Sequence, residues 1–270
     1  MEIFEALILG AVQGITEFLP VSSSGHLVLL QRIFRINEPV LLFDTMVHGG
    51  TLIAVFIVLR EDIWNILRRP WQPLTGLLVI ATLPAVVLAL VFKDPLERAF
   101  ASGAGLGFAF LVTAAALGIS EILAPRTGRS RAGRPREGNA MTWLDALIIG
   151  VLQGIAIIPG VSRSGMTLSG ALSRRLARDF AARFSFLLSI PAILGALVFQ
   201  IKEFGGGGLS PGIGPGPLIA GTAAAAVVGF FSIKFMFKIV RERSLWPFVV
   251  YTALLGSLVL ADQYISRMFF

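Results

Sequence analysis

No cysteine occurs at any of the 270 positions. Disulfides, thiolate nucleophiles and cysteine-held metal centres are therefore excluded. Charge is scarce as well. Asp, Glu, Lys and Arg make up 14% of the residues, against about a quarter in soluble domains. Hydrophobic residues reach 55%, and the mean hydropathy is +0.81. The start, MEIFEALILG, has no positive n-region and does not read as a secretory signal peptide. The few charges are still unbalanced, with a formal net charge of +7 and a pI near 10.7. They cluster between apolar runs, so they read as membrane topology signals and not as a nucleic-acid surface.

What is present is long apolar sequence. Runs such as LLVIATLPAVVLALVF are long enough to cross a bilayer and suit helices better than barrel strands. The expected fold is an all-α, polytopic integral membrane protein.

The chain also repeats itself with an offset of 140. Residues 5–27, EALILGAVQGITEFLPVSSSGHL, align without a gap on residues 145–167, DALIIGVLQGIAIIPGVSRSGMT, with eleven of 23 positions identical. The matches include polar and glycine positions: Gln13/Gln153, Gly14/Gly154, Ser22/Ser162, Ser24/Ser164 and Gly25/Gly165. Two related halves are expected within one membrane domain, 1–124 and 142–270, joined by an Arg-rich linker at 125–141. Each half adds three apolar runs to its repeat unit, near 41–59, 74–92 and 103–124, then 180–201, 217–239 and 246–264. The stretch GGGGLSPGIGPGP (205–217) reads as a flexible connection.

Each repeat unit carries a break at its centre, at Leu19-Pro20 and at Pro159-Gly160. A unit could span once with a kink, or turn back as a re-entrant helix pair. The positive-inside rule separates these. If both units turn back, loops 60–73, 125–141, 172–183 and 234–243 share one side and hold sixteen Lys and Arg, against six on the other. If both units span, the split is ten against twelve. The re-entrant arrangement is expected: six transmembrane helices and two re-entrant pairs as an inverted-topology repeat. Both termini then lie outside and the Arg-rich linker lies in the cytoplasm. Broken backbone at membrane depth must be buried in protein or line a wet cavity. The helix N-termini at SSSGH and SRSGMT would be suited to anions.

Ionisable side chains inside such segments are functional candidates by default. Glu17 lies in an apolar run four residues after Gln13, on one helix face. His26 stands with Glu17 and with Ser22, Ser23 and Ser24, as a general acid/base or nucleophile would. The second unit supplies Ser162, Arg163, Ser164 and Thr167. Arg163 is the one Lys or Arg in either unit core, and a guanidinium suits bidentate phosphate binding. Plainer readings stand beside these: a paired packing carboxylate for Glu17, a satisfied helix histidine for His26, N-caps for the serines, and a structural ion pair with Glu17 for Arg163. Across the repeat, Glu17 faces Ile157, Ser23 faces Arg163 and His26 faces Met166. This division of labour argues for one composite site. His48, in FDTMVHGGT at the start of a span, reads as packing or facing the interface.

QGITEFLPVSSSGH resembles the (E/Q)xxxE motif and the following SS-x-GH segment of undecaprenyl-diphosphate phosphatases of the bacitracin-resistance type. PGVSRSGMT (159–167) resembles their PGxSRSxxT motif. The likeness covers essentially the whole chain. It implies hydrolysis of undecaprenyl diphosphate to undecaprenyl phosphate and phosphate, which recycles the lipid carrier of cell-wall synthesis. It also implies dependence on Mg2+ or Ca2+, with Glu17 as metal ligand or base, and a site open to the periplasmic or outer side of a bacterial plasma membrane. Glu17, Ser23, His26 and Arg163 are the expected catalytic set. Gln13, Ser22, Ser24, Ser162, Arg163, Ser164 and Thr167 are the expected phosphate-binding set. Ser23 as nucleophile with His26 assisting is preferred, with His26 or an activated water as alternatives. The partners expected are the lipid substrate and membrane lipids, with self-association left open. The rival reading is a lipid-phosphate flippase or anion transporter using the same repeat architecture.

Overall fold

Proline, glycine and the buried polar residues cut the apolar sequence into helices of two kinds. The computed structural model describes residues 1–36, 41–103, 105–124, 136–205 and 213–269. Most of the Arg-rich linker and of the Gly-rich connection at 205–217 lies outside the described residues. Among the described residues, six helices are long and apolar enough to cross a membrane. They are α3 (Leu41–Val58), α5 (Pro73–Val91), α7 (Leu106–Leu123), α10 (Arg178–Gly205), α11 (Pro215–Glu242) and α12 (Trp246–Ala261). They coincide with the six runs read from the sequence.

Each repeat unit forms two shorter helices: α1 (Ile3–Thr16) and α2 (Ser23–Ile33), then α8 (Trp143–Ile155) and α9 (Arg163–Ser173). At 1.5 Å per residue, the 14 residues of α1 reach about 21 Å, short of a 30 Å hydrocarbon core. Segments with more polar sequence, which read as connections between the apolar runs, form α4 (Arg60–Arg68) and α6 (Lys93–Ser102).

The two units start and break alike. A carboxylate in the first turn meets the backbone ahead of it: the Glu5 side chain accepts from Glu2 N at 2.7 Å, and Asp145 Oδ2 accepts from Thr142 N at 2.8 Å. At each restart a serine caps the second helix. Ser22 Oγ accepts from Gly25 N at 3.3 Å, and Ser162 Oγ from Gly165 N at 3.0 Å. In the second turn Gly160 has φ 89, a conformation that favours glycine.

Helix packing repeats with the same offset. α1 lies on α11, and α8 lies on α5. A Cβ at Gly10 would sit 2.2 Å from the Gly221 carbonyl oxygen, and one at Gly150 would sit 2.5 Å from the Ala81 carbonyl oxygen. Both members of this pair of contacts are 140 residues apart. α7 packs on α12 and α9, and α3 packs on α11 and α10. The main apolar core gathers around α10, with Phe184, Leu187 and Leu188 buried among Phe18, Leu117, Ile149 and Ile233. Large apolar side chains such as Phe4, Val87, Phe231 and Leu258 stay exposed on the outer faces.

Two ends of the bundle are recognisable from their polar contacts. At one, Arg183 pairs with Asp62 and Asp179, Arg241 with Asp179, and Arg178 with Glu121. Ser244 also donates to Glu121. Asp145 is fully buried there between Arg136 and Arg174. Burial pushes its carboxyl up, but hydrogen bonds from Arg136, Thr142 and Arg174 outweigh this and hold it well below the usual carboxylate range. At the other end Arg32 donates to the carbonyls of Ser102 and Phe269, and Gln263 donates to that of Gly103.

Candidate functional site

Glu17 caps the C-terminal end of α1, and its side chain is almost fully buried. A carboxylate there must be compensated. The compensation comes from both repeat units. Arg163, the first residue of α9, ion-pairs with Oε1. Ser23, the first residue of α2, donates its hydroxyl to Oε2 at 2.6 Å. Gln13, one turn back on α1, donates Nε2 to Oε2 at 2.9 Å. His48 of α3 brings Nε2 to 3.7 Å from the same oxygen.

The two turns are also tied directly to each other. Gly160 N donates to Ser24 Oγ at 3.3 Å, and Ser164 Oγ donates to the Leu19 carbonyl at 3.0 Å. Ser24 and Ser164 are repeat equivalents, so each unit's serine grips the other unit's turn. The N-termini of α2 and α9 thus meet beside Glu17, where helix ends offer unpaired N–H groups and positive dipole charge. Ser22, next to Ser23, holds φ 73, a left-handed backbone that a non-glycine residue adopts under strain.

The remaining expected residues fall into two groups. Ser22 and Ser162 spend their hydroxyls as caps, and Ser162 N donates to Thr113 Oγ1 at 2.9 Å. Thr167, one turn into α9 and fully buried, bonds its hydroxyl to the Arg163 carbonyl and to Ser185 of α10. His26 stands beside the site with both ring nitrogens engaged. Nδ1 donates to the Ser22 carbonyl and Nε2 meets the Tyr251 hydroxyl, each at 2.7 Å. Since a carbonyl only accepts, Nε2 accepts from Tyr251. The spacing, with His26 three residues along from Ser23, predicts that His26 serves Ser23. In the structure Ser23 turns to Glu17, because His26 is held against Tyr251 of α12 and the edge of Phe110.

Two residues near this constellation escaped the sequence reading. Tyr251 lies inside an ordinary apolar run and carries no local signal. His48 does carry one, as an ionisable group four residues after Asp44 within a span, although its position at the start of the span reads equally as packing or interface.

A divalent cation finds a partial set of donors here. Besides the Glu17 carboxylate, Gln13 Oε1 is buried without a hydrogen-bond partner. Among the described residues no group of three or more His, Cys, Asp or Glu side chains gathers. The described residues therefore do not build a closed cage. The set fits an ion of the Mg2+ type, which keeps waters and takes one or two protein ligands together with substrate phosphate oxygens.

Comparison with known proteins adds an independent finding. A family model described as "Bacitracin resistance protein BacA" matches residues 6–258. A Carboxydothermus hydrogenoformans protein named undecaprenyl-diphosphatase is 48% identical over 264 residues, covering 97% of this chain and 98% of its own. Undecaprenyl-diphosphatase 4 of Bacillus thuringiensis subsp. konkukian is 42% identical, with 98% of each chain covered. The undecaprenyl-diphosphatase of Alkaliphilus metalliredigens is 38% identical, with 96% and 98% covered.

Proposed function

Because the chain belongs to the bacitracin resistance protein BacA family, we propose that it hydrolyses undecaprenyl diphosphate to undecaprenyl phosphate and phosphate. The observation that carries this reading is the Glu17 carboxylate held between Ser23 of one unit and Arg163 of the other. A pure lipid or anion carrier needs a phosphate cradle. It has no use for a hydroxyl hydrogen-bonded to a buried carboxylate.

The chemistry follows from the positions. The guanidinium of Arg163 and the N-termini of α2 and α9 bind the diphosphate and stabilise charge on its equatorial oxygens. Binding draws Arg163 from Glu17 toward phosphate, which leaves the carboxylate free to accept a proton. Ser23 Oγ then attacks the terminal phosphorus and passes its proton to Glu17 Oε2. The bond to the bridging oxygen breaks, and undecaprenyl phosphate leaves. Glu17 hands this proton to the departing undecaprenyl phosphate; water then cleaves the phosphoserine, giving a proton to Glu17, which returns it to Ser23 Oγ as phosphate departs. His26, held by the Ser22 carbonyl and the Tyr251 hydroxyl, braces the start of α2 beside Ser23. A divalent cation, Mg2+ or Ca2+, held by Glu17 with Gln13 beside it, would neutralise phosphate charge when bound.

The re-entrant, inverted arrangement belongs to this proposal. Its support is the recurrence of the Gly10–Gly221 contact at Gly150–Ala81. The polar contacts at the two ends add support: Asp62, Arg136, Arg174, Asp179, Arg183 and Arg241 gather at one end, and Arg32, Ser102 and Phe269 at the other. On this reading both termini face the outer side, the Arg-rich linker faces the cytoplasm, and the site opens outward in a bacterial plasma membrane. The lipid tail would lie along the exposed apolar faces.

The covalent step has its own test. With substrate labelled in the terminal phosphate, acid quenching should trap label on the wild-type chain and none on Ser23→Ala, whose turnover should fall by roughly 10³-fold or more. No trapped label together with near-normal turnover of Ser23→Ala would replace serine by water as the nucleophile.

A further inference from the structure

The chain has two histidines, and the fold brings both to the site. They are anchored alike, each through Nδ1 on the backbone carbonyl four residues earlier. His48 donates Nδ1–H to the Asp44 carbonyl at 2.6 Å. In the neutral imidazole this fixes the proton on Nδ1 and leaves a lone pair on Nε2. Nε2 stands 3.7 Å from Glu17 Oε2, too far for a hydrogen bond. Both atoms are acceptors. Oε2 already accepts from Ser23 and Gln13, and a neutral Nε2 stands beside it as a third electron-rich atom with no donor of its own to offer.

Gln13 supplies a second and independent sign. Its Nε2 is spent on the same Oε2, and its Oε1 is left fully buried without a partner. A buried amide oxygen seldom goes unsatisfied. The gap is also reachable, since the His48 side chain is 30% exposed while Glu17 is 5% exposed. Donor atoms sharing one cation at 2.0–2.4 Å stand roughly 3–3.5 Å apart. The present separation therefore needs a shift of only a few tenths of an ångström. An imidazole whose other nitrogen donates to a backbone carbonyl is the usual posture of a metal-ligating histidine.

We propose that His48 is a ligand of the divalent cation, its Nε2 joining Glu17 Oε2, with Gln13 Oε1 as the unpaired oxygen beside them. This rests on the reading of the site as a cation-assisted diphosphate hydrolase. It also refines the expected metal. A nitrogen donor among oxygens favours Mn2+ and Co2+ over Ca2+.

The test is Mn2+ titrated into the full-length protein in detergent, read by pulsed electron paramagnetic resonance. The wild type should show coupling to a directly bound nitrogen that changes when histidine carries nitrogen-15. The coupling should survive in His26→Ala and vanish in His48→Ala, with Mn2+ affinity about tenfold weaker or more. Ca2+ affinity should change less. Absence of nitrogen coupling in the wild type would overturn the proposal without recourse to any variant. Unchanged coupling and affinity in His48→Ala would overturn it as well. Coupling in a wild type that releases no phosphate from undecaprenyl diphosphate would uphold the ligand and overturn the hydrolase reading instead.

Discussion

Glu17 and Arg163 come from segments 146 residues apart and meet in a nearly dry place. Removing one partner of such a pair strands the other charge, at a cost of about 3–5 kcal/mol. Arg163→Ala should therefore lower the thermal unfolding temperature markedly. Adding Glu17→Gln should restore much of the loss, because the stranded charge is then gone. A double variant no more stable than Arg163→Ala would mean that the arginine acts through packing alone. The types of these residues were legible in the sequence, since an isolated carboxylate and an isolated arginine stood out against apolar surroundings. Their pairing was legible only as an option, the structural ion pair that stood as the plainer reading of Arg163. What could not be read was the direction of each side chain. Ser23 lies three residues from His26 and six from Glu17, and helical spacing favours the former. The turn at Leu19-Pro20 reverses this by bringing the end of α1 back over the start of α2. His48 shows the same limit, because only the packing of α3 on α1 and α11 brings it to Glu17.

At the scale of helices, small residues determine how closely the halves approach. Gly10 of α1 lies against the backbone of Gly221 in α11, so even one methyl group has no room. Gly10→Ala should cost roughly 1–3 kcal/mol by forcing the helices apart. Gly195, in α10, has nothing within 4 Å of a built Cβ. Gly195→Ala should be neutral or stabilising by up to about 1 kcal/mol. Thermal unfolding of both variants checks the contrast, and equal effects would refute the close-approach account. Helix positions were well marked in the sequence, because apolar length and proline breaks are local properties. The pairing of α1 with α11 and of α8 with α5 was not. Residue types show that Gly10 and Gly150 repeat, but not which helix each one faces. The helices α4 and α6 were missed because their apolar residues are too few to stand out from a charged connection.

For the whole molecule, the arrangement in the membrane is the claim with most consequence for access. The absence of cysteine makes it directly testable. A cysteine at Arg68 should be shielded from an impermeant maleimide applied outside intact cells, and one at Met268 should be labelled. The reverse pattern would invert the orientation, and labelling of both would break the re-entrant scheme. The central claim is that the two units complete one hydrolytic site, each unit alone lacking half of it. Phosphate release from undecaprenyl diphosphate by the purified protein in detergent tests this most directly, comparing wild type with Glu17→Gln and Arg163→Ala under added Mg2+. The account predicts release by the wild type and a loss of 10²-fold or more in each folded variant, the first disabling one unit and the second the other. Release that persists in either folded variant would contradict it.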